Sequence, residues 1–276
     1  MRKLNIVAHQ DDSLLFMSPD IVVDAGNVWT DETVIMTDGW SGQPGLDNLD
    51  YVASRNSGLM TAIAEMVDIA EPTWATDYLV LNDHPVARYT LTQQPTQSVV
   101  FLDLQEYTHS GGAGAGGCDE QGSSLTALYA ECVDTVTTNG GLSYSKDELT
   151  QALFDLINEF GPDEVRIQDQ DPGDGFAPFH SGVYHWPDHP DHTAAARFAG
   201  DAALRFRAEL DATVEITQYR CYNIASYQPE NVTGELLASK LAAFATYAPF
   251  DADGGVQAYQ DPTNFYFQWL RRQCYR

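Results

Sequence analysis

Residues 4–12, Leu4-Asn5-Ile6-Val7-Ala8-His9-Gln10-Asp11-Asp12, decide how the chain is read. An apolar run with β-branched Ile6 and Val7 stops abruptly at a histidine and two adjacent carboxylates. That is the pattern of a buried strand whose carboxyl end carries His9, Asp11 and Asp12. In open α/β sheets the ligand crevice lies at that edge. Two like charges beside each other, with a histidine in reach, are costly unless something positive sits between them. A divalent metal supplies that charge.

Outward from this stretch the chain reads as a parallel α/β fold. Pro19 is placed at the first position of a helix running to about Ala25-Gly26, and Thr33–Thr37 is a second strand ending in Asp38-Gly39. Strand, helix and strand in so short a span form a βαβ unit with a right-handed crossover. A Gly-rich loop at 39–49 precedes a helix over about 51–69, with Ala53, Leu59, Ala62, Ile63, Met66 and Val67 on one face. Arg55 falls early in that helix, a poor place for a cation by the helix dipole, so it is either solvated or aimed at an anion or carboxylate. Residues 77–104 read as three strands, the first two split by the turn signal Asn82-Asp83-His84-Pro85. A short helix is expected over 125–136. Ser145 and Glu148 form a capping box for the helix ending at Gly161-Pro162. Strands at 164–168 and 214–219 and helices at 193–210 and 236–247 follow, and the aromatic tail is expected to pack as a final helix. No internal repeat or linker appears, and the expectation is one domain over 1–276: a mostly parallel sheet flanked by helices, with an added antiparallel hairpin.

The chain of 276 residues, 43% hydrophobic, is long enough for a full core, and no apolar run approaches the ~20 residues of a membrane span. It starts Met1-Arg2-Lys3 and enters a strand at once, so no signal peptide is read, an expectation of cytoplasmic location as the chain stands. Forty acidic residues against 14 basic ones, three of them lysines, give a net charge of −26. That excludes nucleic acid, acidic lipid and polyanions as expected partners. It reads as a solvated acidic surface of the salt-adapted or highly soluble kind; a field for a cationic substrate is the alternative. Four cysteines are too few for a disulfide scaffold and lack CxxC spacing. Cys118 with Cys132 and Cys221 with Cys274 are either two disulfides, implying an oxidising compartment, or free thiols. The Gly-rich 109–124 stretch lacks the GK[ST] ending of a phosphate loop and reads as a surface loop or lid.

The chemistry gathers in two segments, His9 to Asp12 and Asp188-His189-Pro190-Asp191-His192, each at a strand-to-helix junction. His9 and Asp12 are close enough to face one point, and His192 closes a His-Asp-His set. Catalytic zinc sites take three such ligands and leave a fourth position for water. Asp11 is the base for that water, and zinc brings the water's pKa toward ~7. His189 is placed to stabilise the oxyanion or protonate the leaving group, and Asp191 to set a histidine tautomer. His180 and His185 read as loop histidines. Trp40, Trp74, Tyr184 and Trp186 suit stacking on a sugar face or an aglycone, and equally suit packing.

Together, Ala8-His9-Gln10-Asp11-Asp12, Thr37-Asp38-Gly39, Arg55 and Asp188-His189-Pro190-Asp191-His192 resemble the LmbE/PIG-L deacetylases over residues 4 to about 210. The resemblance implies a Rossmann-like sheet and a zinc-dependent hydrolase removing acyl groups, usually acetyl, from N-acylglucosamine-type sugars or conjugates. It implies one divalent metal, Zn²⁺, held by His9, Asp12 and His192. It further implies Asp11 as base, His189 on the oxyanion with Asp191 behind it, and Arg55 near Asp11 or the substrate. Three positions depart from the family's pattern: Gln10 stands for proline, Ser13 for an acidic residue and Asn56 for glutamate. The competing expectations are a glycan-binding pseudoenzyme that keeps the crevice, and a phosphoester hydrolase. Two-metal phosphatases need more ligands than this site offers.

Overall fold

The protein's computed structural model describes residues 1–40, 48–106, 124–171, 188–252 and 255–276. Most of the 39–49 and 109–124 loops, with Cys118, His180, Tyr184, His185 and Trp186, lie outside these residues. In chain order the elements are β1 (Arg2–Val7), α1 (Asp20–Gly26), β2 (Thr30–Thr37), α2 (Asn48–Met66), β3 (Trp74–Leu81), β4 (His84–Leu91) and β5 (Gln97–Leu104). Then come α3 (Leu125–Tyr129), β6 (Val136–Thr137), β7 (Ser143–Tyr144), α4 (Lys146–Phe160), β8 (Glu164–Gln168), α5 (Pro190–Leu210), β9 (Glu215–Tyr219), α6 (Ile224–Tyr227), α7 (Gly234–Tyr247) and α8 (Phe265–Leu270).

Among the described residues, one sheet has seven strands in the order β3-β4-β5-β2-β1-β8-β9. β1 pairs in parallel with both β2 and β8, β2 with β5 and β8 with β9; β4 is antiparallel to β3 and β5. This is the expected fold, a mostly parallel sheet with an added hairpin. From β1 the chain moves to β2 on one side and returns to β8 on the other, so the strand order reverses beside β1. The crevice rule for open sheets therefore points to the end of β1, where His9, Asp11 and Asp12 lie.

The strand residues alternate between two apolar layers, as a sheet covered on both faces requires. Leu4, Ile6, Val34, Met36, Val100 and Leu102 pack on one side with α4 and α5. Val7, Ile35, Val99 and Phe101 pack on the other with Leu59 and Ile63 of α2, Phe244 and Tyr247 of α7 and Trp269 of α8. Close approach of α2 to the turn after α7 requires Gly58, since a Cβ there would stand 2.8 Å from the Phe250 side chain.

Several local expectations need correction. The hairpin turn is only Asn82-Asp83, both at positive φ (46° and 65°), and His84 and Pro85 already belong to β4. Pro85 is tolerated because β4 bonds β5 only over Arg88–Thr90. Pro19 caps α1 rather than opening it, and a π-helical turn over Ser13–Met17 precedes it. On α2, Ala53 is exposed, while Tyr51 and Val52 are buried and Val67 falls beyond the helix end. α3 stops at Tyr129, followed by the ribbon β6–β7, which sequence periodicity was too short to reveal. Cys221 and Cys274 are free: the Cys221 Sγ is buried against the Tyr219 carbonyl (3.5 Å) and Gln168. Cys132 is disulfide-bonded. No helix among the described residues is long and apolar enough to cross a membrane.

Candidate active site

Where β1 ends, the Ala8 carbonyl accepts from the Thr37 amide (3.0 Å) and hydroxyl (2.9 Å), which ties the two strand ends together. The chain then turns back. The His9 amide donates to Asp12 Oδ2 (2.6 Å), and the Leu15 amide to the Asp11 carbonyl (2.9 Å) as the π-helical turn begins. Such π turns recur at functional sites. The second segment sits at the start of α5. His189 is its N-cap, accepting the Asp191 amide at Nδ1 (3.2 Å), with Pro190 at N1. That bond leaves the proton of a neutral His189 on Nε2.

The two segments meet. His9 Nδ1 lies 3.1 Å from His192 Nε2 and 3.3 Å from Asp12 Oδ2, while Asp12 Oδ1 lies 3.0 Å from His192 Nε2. All three residues are buried. The outer nitrogen of each imidazole faces its own carboxylate: His9 Nε2 is 3.2 Å from Glu106 Oε1, and His192 Nδ1 donates to Asp188 Oδ1 (2.6 Å). In the neutral tautomers that carry the proton on those outer nitrogens, His9 and His192 both turn lone pairs toward Asp12. Three lone-pair donors so placed repel one another unless a cation sits between them. Ligands at ~2.0–2.1 Å from a tetrahedral ion stand about 3.3 Å apart, close to the spacing here. The donor set fits a zinc ion, with a carboxylate behind each histidine as metal sites commonly have. His189 also brings a ring nitrogen within 4.8 Å of those of His9 and His192.

The same demand for positive charge shows in the histidines themselves, which hold protons that a bound cation would displace. Burial opposes protonation of His9 and His192, yet Asp12, with Glu106 for one and Asp188 for the other, outweighs it and pushes each up to about 10. Burial and the two neighbouring imidazoles hold His189 well below its usual range, so it is the neutral member. Asp12 lies far below the usual carboxylate range, the two histidines overcoming its burial. Burial pushes Asp11 up to about 6 against the pull of Arg55.

Asp11 turns away from the ligand triangle. Its Oδ1 accepts from Arg55 Nη2 (2.9 Å) and its Oδ2 from the Tyr266 hydroxyl (3.3 Å). Arg55 is buried, not solvated. Its Nη1 donates to the Gly39 carbonyl (2.5 Å) and its Nε to the Tyr247 hydroxyl (2.8 Å), beside Asp251 (3.2 Å). Gly39 has φ of +63°, and a Cβ there would collide with Gln10 and Arg55. Gln10 Nε2 donates to the Asp38 carbonyl and to Asn56 Oδ1 (2.9 Å each), so two of the three departures from the resembled pattern bond each other. The Asp191 carboxylate accepts from the Thr126 hydroxyl (2.7 Å).

Sequence reading missed four contributors. Glu106, two residues past β5, is signalled only by its place at a parallel strand's carboxyl end. Tyr222, Tyr247 and Tyr266 come from the chain after β9, which carries no motif. The Tyr222 ring lies against His192 (centroids 4.7 Å) and stacks on Trp269 (4.5 Å).

A mostly parallel sheet with a buried group of histidines and aspartate at its switch point defines an α/β protein whose side chains could hold a metal ion there. Residues 4–203 match the family model described as PIG-L, GlcNAc-PI de-N-acetylase, and the chain belongs to that family. No curated protein matches it in sequence. Among solved structures it is similar to an N,N'-diacetylchitobiose deacetylase from Pyrococcus horikoshii, at 16% identity and a TM-score of 0.50, over 94% of this chain and 74% of that one. It is also similar to GalB, the 4-carboxy-2-hydroxymuconate hydratase of Pseudomonas putida (14%, 0.52, over 98% and 84%). A third is a deacetylase of teicoplanin biosynthesis (14%, 0.50, over 97% and 90%). One fold thus hosts both deacetylases and a hydratase, and the reaction has to be argued from the site.

Proposed function

We propose that the protein is a zinc-dependent N-deacetylase that removes an acyl group, acetyl in the simplest case, from a glucosamine-type sugar or sugar conjugate. The observation carrying this reading is the buried triangle of His9, Asp12 and His192 with a separately held carboxylate, Asp11, beside it. Family membership supports the substrate class. His9, Asp12 and His192 would hold the metal. A zinc ion there supplies Lewis acidity and brings the pKa of water toward ~7.

Asp11 acts as general base. Burial with only partial compensation by Arg55 keeps its carboxylate more basic than a solvated one, which favours proton transfer near neutral pH. Water attacks the amide carbon while its proton passes to Asp11. His189, neutral and protonated on Nε2, donates toward the carbonyl oxygen as that atom gains charge. Asp191 supplies the amide that fixes this tautomer. The C–N bond then breaks, the amine leaves with the proton Asp11 took, and a carboxylic acid and a free amino sugar result. A glycan-binding protein without catalysis would have no use for a carboxylate kept basic beside the triangle, even one that also pairs with Arg55. Arg55, the cation available for a phosphate, already engages Gly39, Tyr247 and Asp11, which disfavours phosphoester cleavage.

Replacing Asp11 with Asn tests the reading. Zinc content measured by elemental analysis stays at the wild-type level, while amine release from N-acetylglucosamine conjugates falls about 10²–10⁴-fold. Equal rates in the two proteins, or no amine release by zinc-loaded wild type across an N-acylglucosamine panel, overturns it.

A further inference from the structure

The family match ends at residue 203, yet the base is also held from the far end of the chain. α8 starts at Phe265, capped by Asn264, whose Oδ1 accepts the Tyr266 amide (3.0 Å). The Tyr266 ring is set edge-on against Trp269 (5.2 Å) and tilted against Phe244 of α7 (5.7 Å). Trp269 in turn donates from Nε1 to the Tyr222 carbonyl (3.0 Å), and Tyr222 packs on His192. One short helix is therefore locked to both halves of the site, to Asp11 through Tyr266 and to His192 through Trp269 and Tyr222.

Asp11 needs this second hold. A carboxylate bound at one oxygen can still swing about its last side-chain torsion, which has a broad and roughly two-fold profile. Arg55 Nη2 engages Oδ1, and the Tyr266 hydroxyl engages Oδ2. At 3.3 Å the second bond is long for a hydroxyl on a carboxylate, and bonds at catalytic groups often tighten only with substrate present. A carboxylate oxygen has room for two partners, so Oδ2 can accept from Tyr266 and still take a proton.

We propose that Tyr266 is a positioning residue for Asp11, fixing the plane of the carboxylate so that the oxygen not bound by Arg55 faces the attacking water. The proposal rests on the deacetylase reading for its kinetic effect, but the contact itself is testable without turnover. Tyr266→Phe keeps the ring and removes the hydroxyl. With N-acetylglucosamine conjugates as probe, kcat falls about three- to tenfold, the equivalent of one net hydrogen bond. KM, zinc content and thermal midpoint stay at wild-type values. Phe265→Leu, on the same helix, leaves kcat unchanged. Separately, 3-fluorotyrosine placed at 266 gives a ¹⁹F resonance that moves when Asp11 is replaced by Asn. A hydroxyl that merely packs gives an unmoved resonance and an unchanged kcat in Tyr266→Phe, and either result overturns the proposal. Inactive wild type overturns the deacetylase reading, and the ¹⁹F shift then decides the Tyr266 contact on its own.

Discussion

The central strands carry a buried ionic cluster at each end, and only one of them converges on a single point. At the amino end, Lys3 bonds Glu164, Arg166 Nη1 bonds Asp24 (2.5 Å), and Arg166 Nε lies 3.2 Å from Glu164. Asn5 donates to Asp31 (2.5 Å), and the Thr217 hydroxyl to Glu164 (2.5 Å). Acids there face the chain's own cations. At the carboxyl end Arg55 is matched against Asp11 and Asp251, while Asp12, Asp188 and Glu106 face the imidazoles of His9 and His192. The amino-end cluster satisfies its charges in pairs; the other aims lone pairs at a common point. Buried charge alone does not mark function; side chains that converge on one point make the stronger case.

The largest test of this contrast removes a donor. Asp12→Ala or His192→Ala should take bound zinc, read by elemental analysis, from the wild-type level to background, and amine release with it. Arg166→Met at the opposite end should leave zinc content untouched while lowering stability by ~3–5 kcal/mol in denaturant titration, the usual cost of stranding buried partners. Zinc loss in the Arg166 variant would erase the distinction between the two clusters. A smaller effect comes from the carboxylates behind the histidines. Asp188→Asn and Glu106→Gln should each weaken zinc affinity about 10–100-fold in chelator competition, since they orient and polarise the imidazoles without touching the metal. Unchanged affinity in both would mean that the donors are held by the fold alone.

The sequence discloses the two clusters unequally. His9, Asp11, Asp12, His189 and His192 stand at strand-to-helix junctions in residue types that have few other uses together, and hydrophobic periodicity places those junctions. The sheet was legible for the same reason: β2 and β5 hold the apolar runs Val34–Met36 and Val99–Leu102, and β1 and β8 carry β-branched Ile6, Val7, Val165 and Ile167 between turn signals. Contributors bound by tertiary contact were not legible. Glu106 follows an ordinary strand, and Tyr266, Tyr247 and Asp251 lie where aromatic residues read as packing. Arg55 was open between solvent and an anion because helix position says nothing about what the next layer carries. Lys240, wholly buried with its amine on the Leu15 and Arg272 carbonyls (2.7 and 3.0 Å), gave no signal within its helix pattern.

The smallest effect sharpens what the amino-end cluster is for. Burial pushes the Asp31 carboxyl up to about 7 despite Arg166, so the folded protein holds a proton there that the unfolded chain releases near pH 4. Between about pH 4 and 7 the native state binds more protons than the unfolded state, and stability falls as pH rises through that window. The contribution is full below the unfolded value and gone above the folded one. Asp31→Asn removes the ionisable group and keeps an oxygen that can accept from Asn5 Nδ2. The variant should be more stable than wild type at pH 8, by about 1–3 kcal/mol given the burial, with the gap closing toward pH 4. Zinc content and amine release should not change, because nothing at that end of the strands faces the triangle. Denaturant titrations at the two pH values measure the slope. A gap that stays constant with pH would mean that Asp31 is ionised in the folded protein, held so by Arg166 and Lys3.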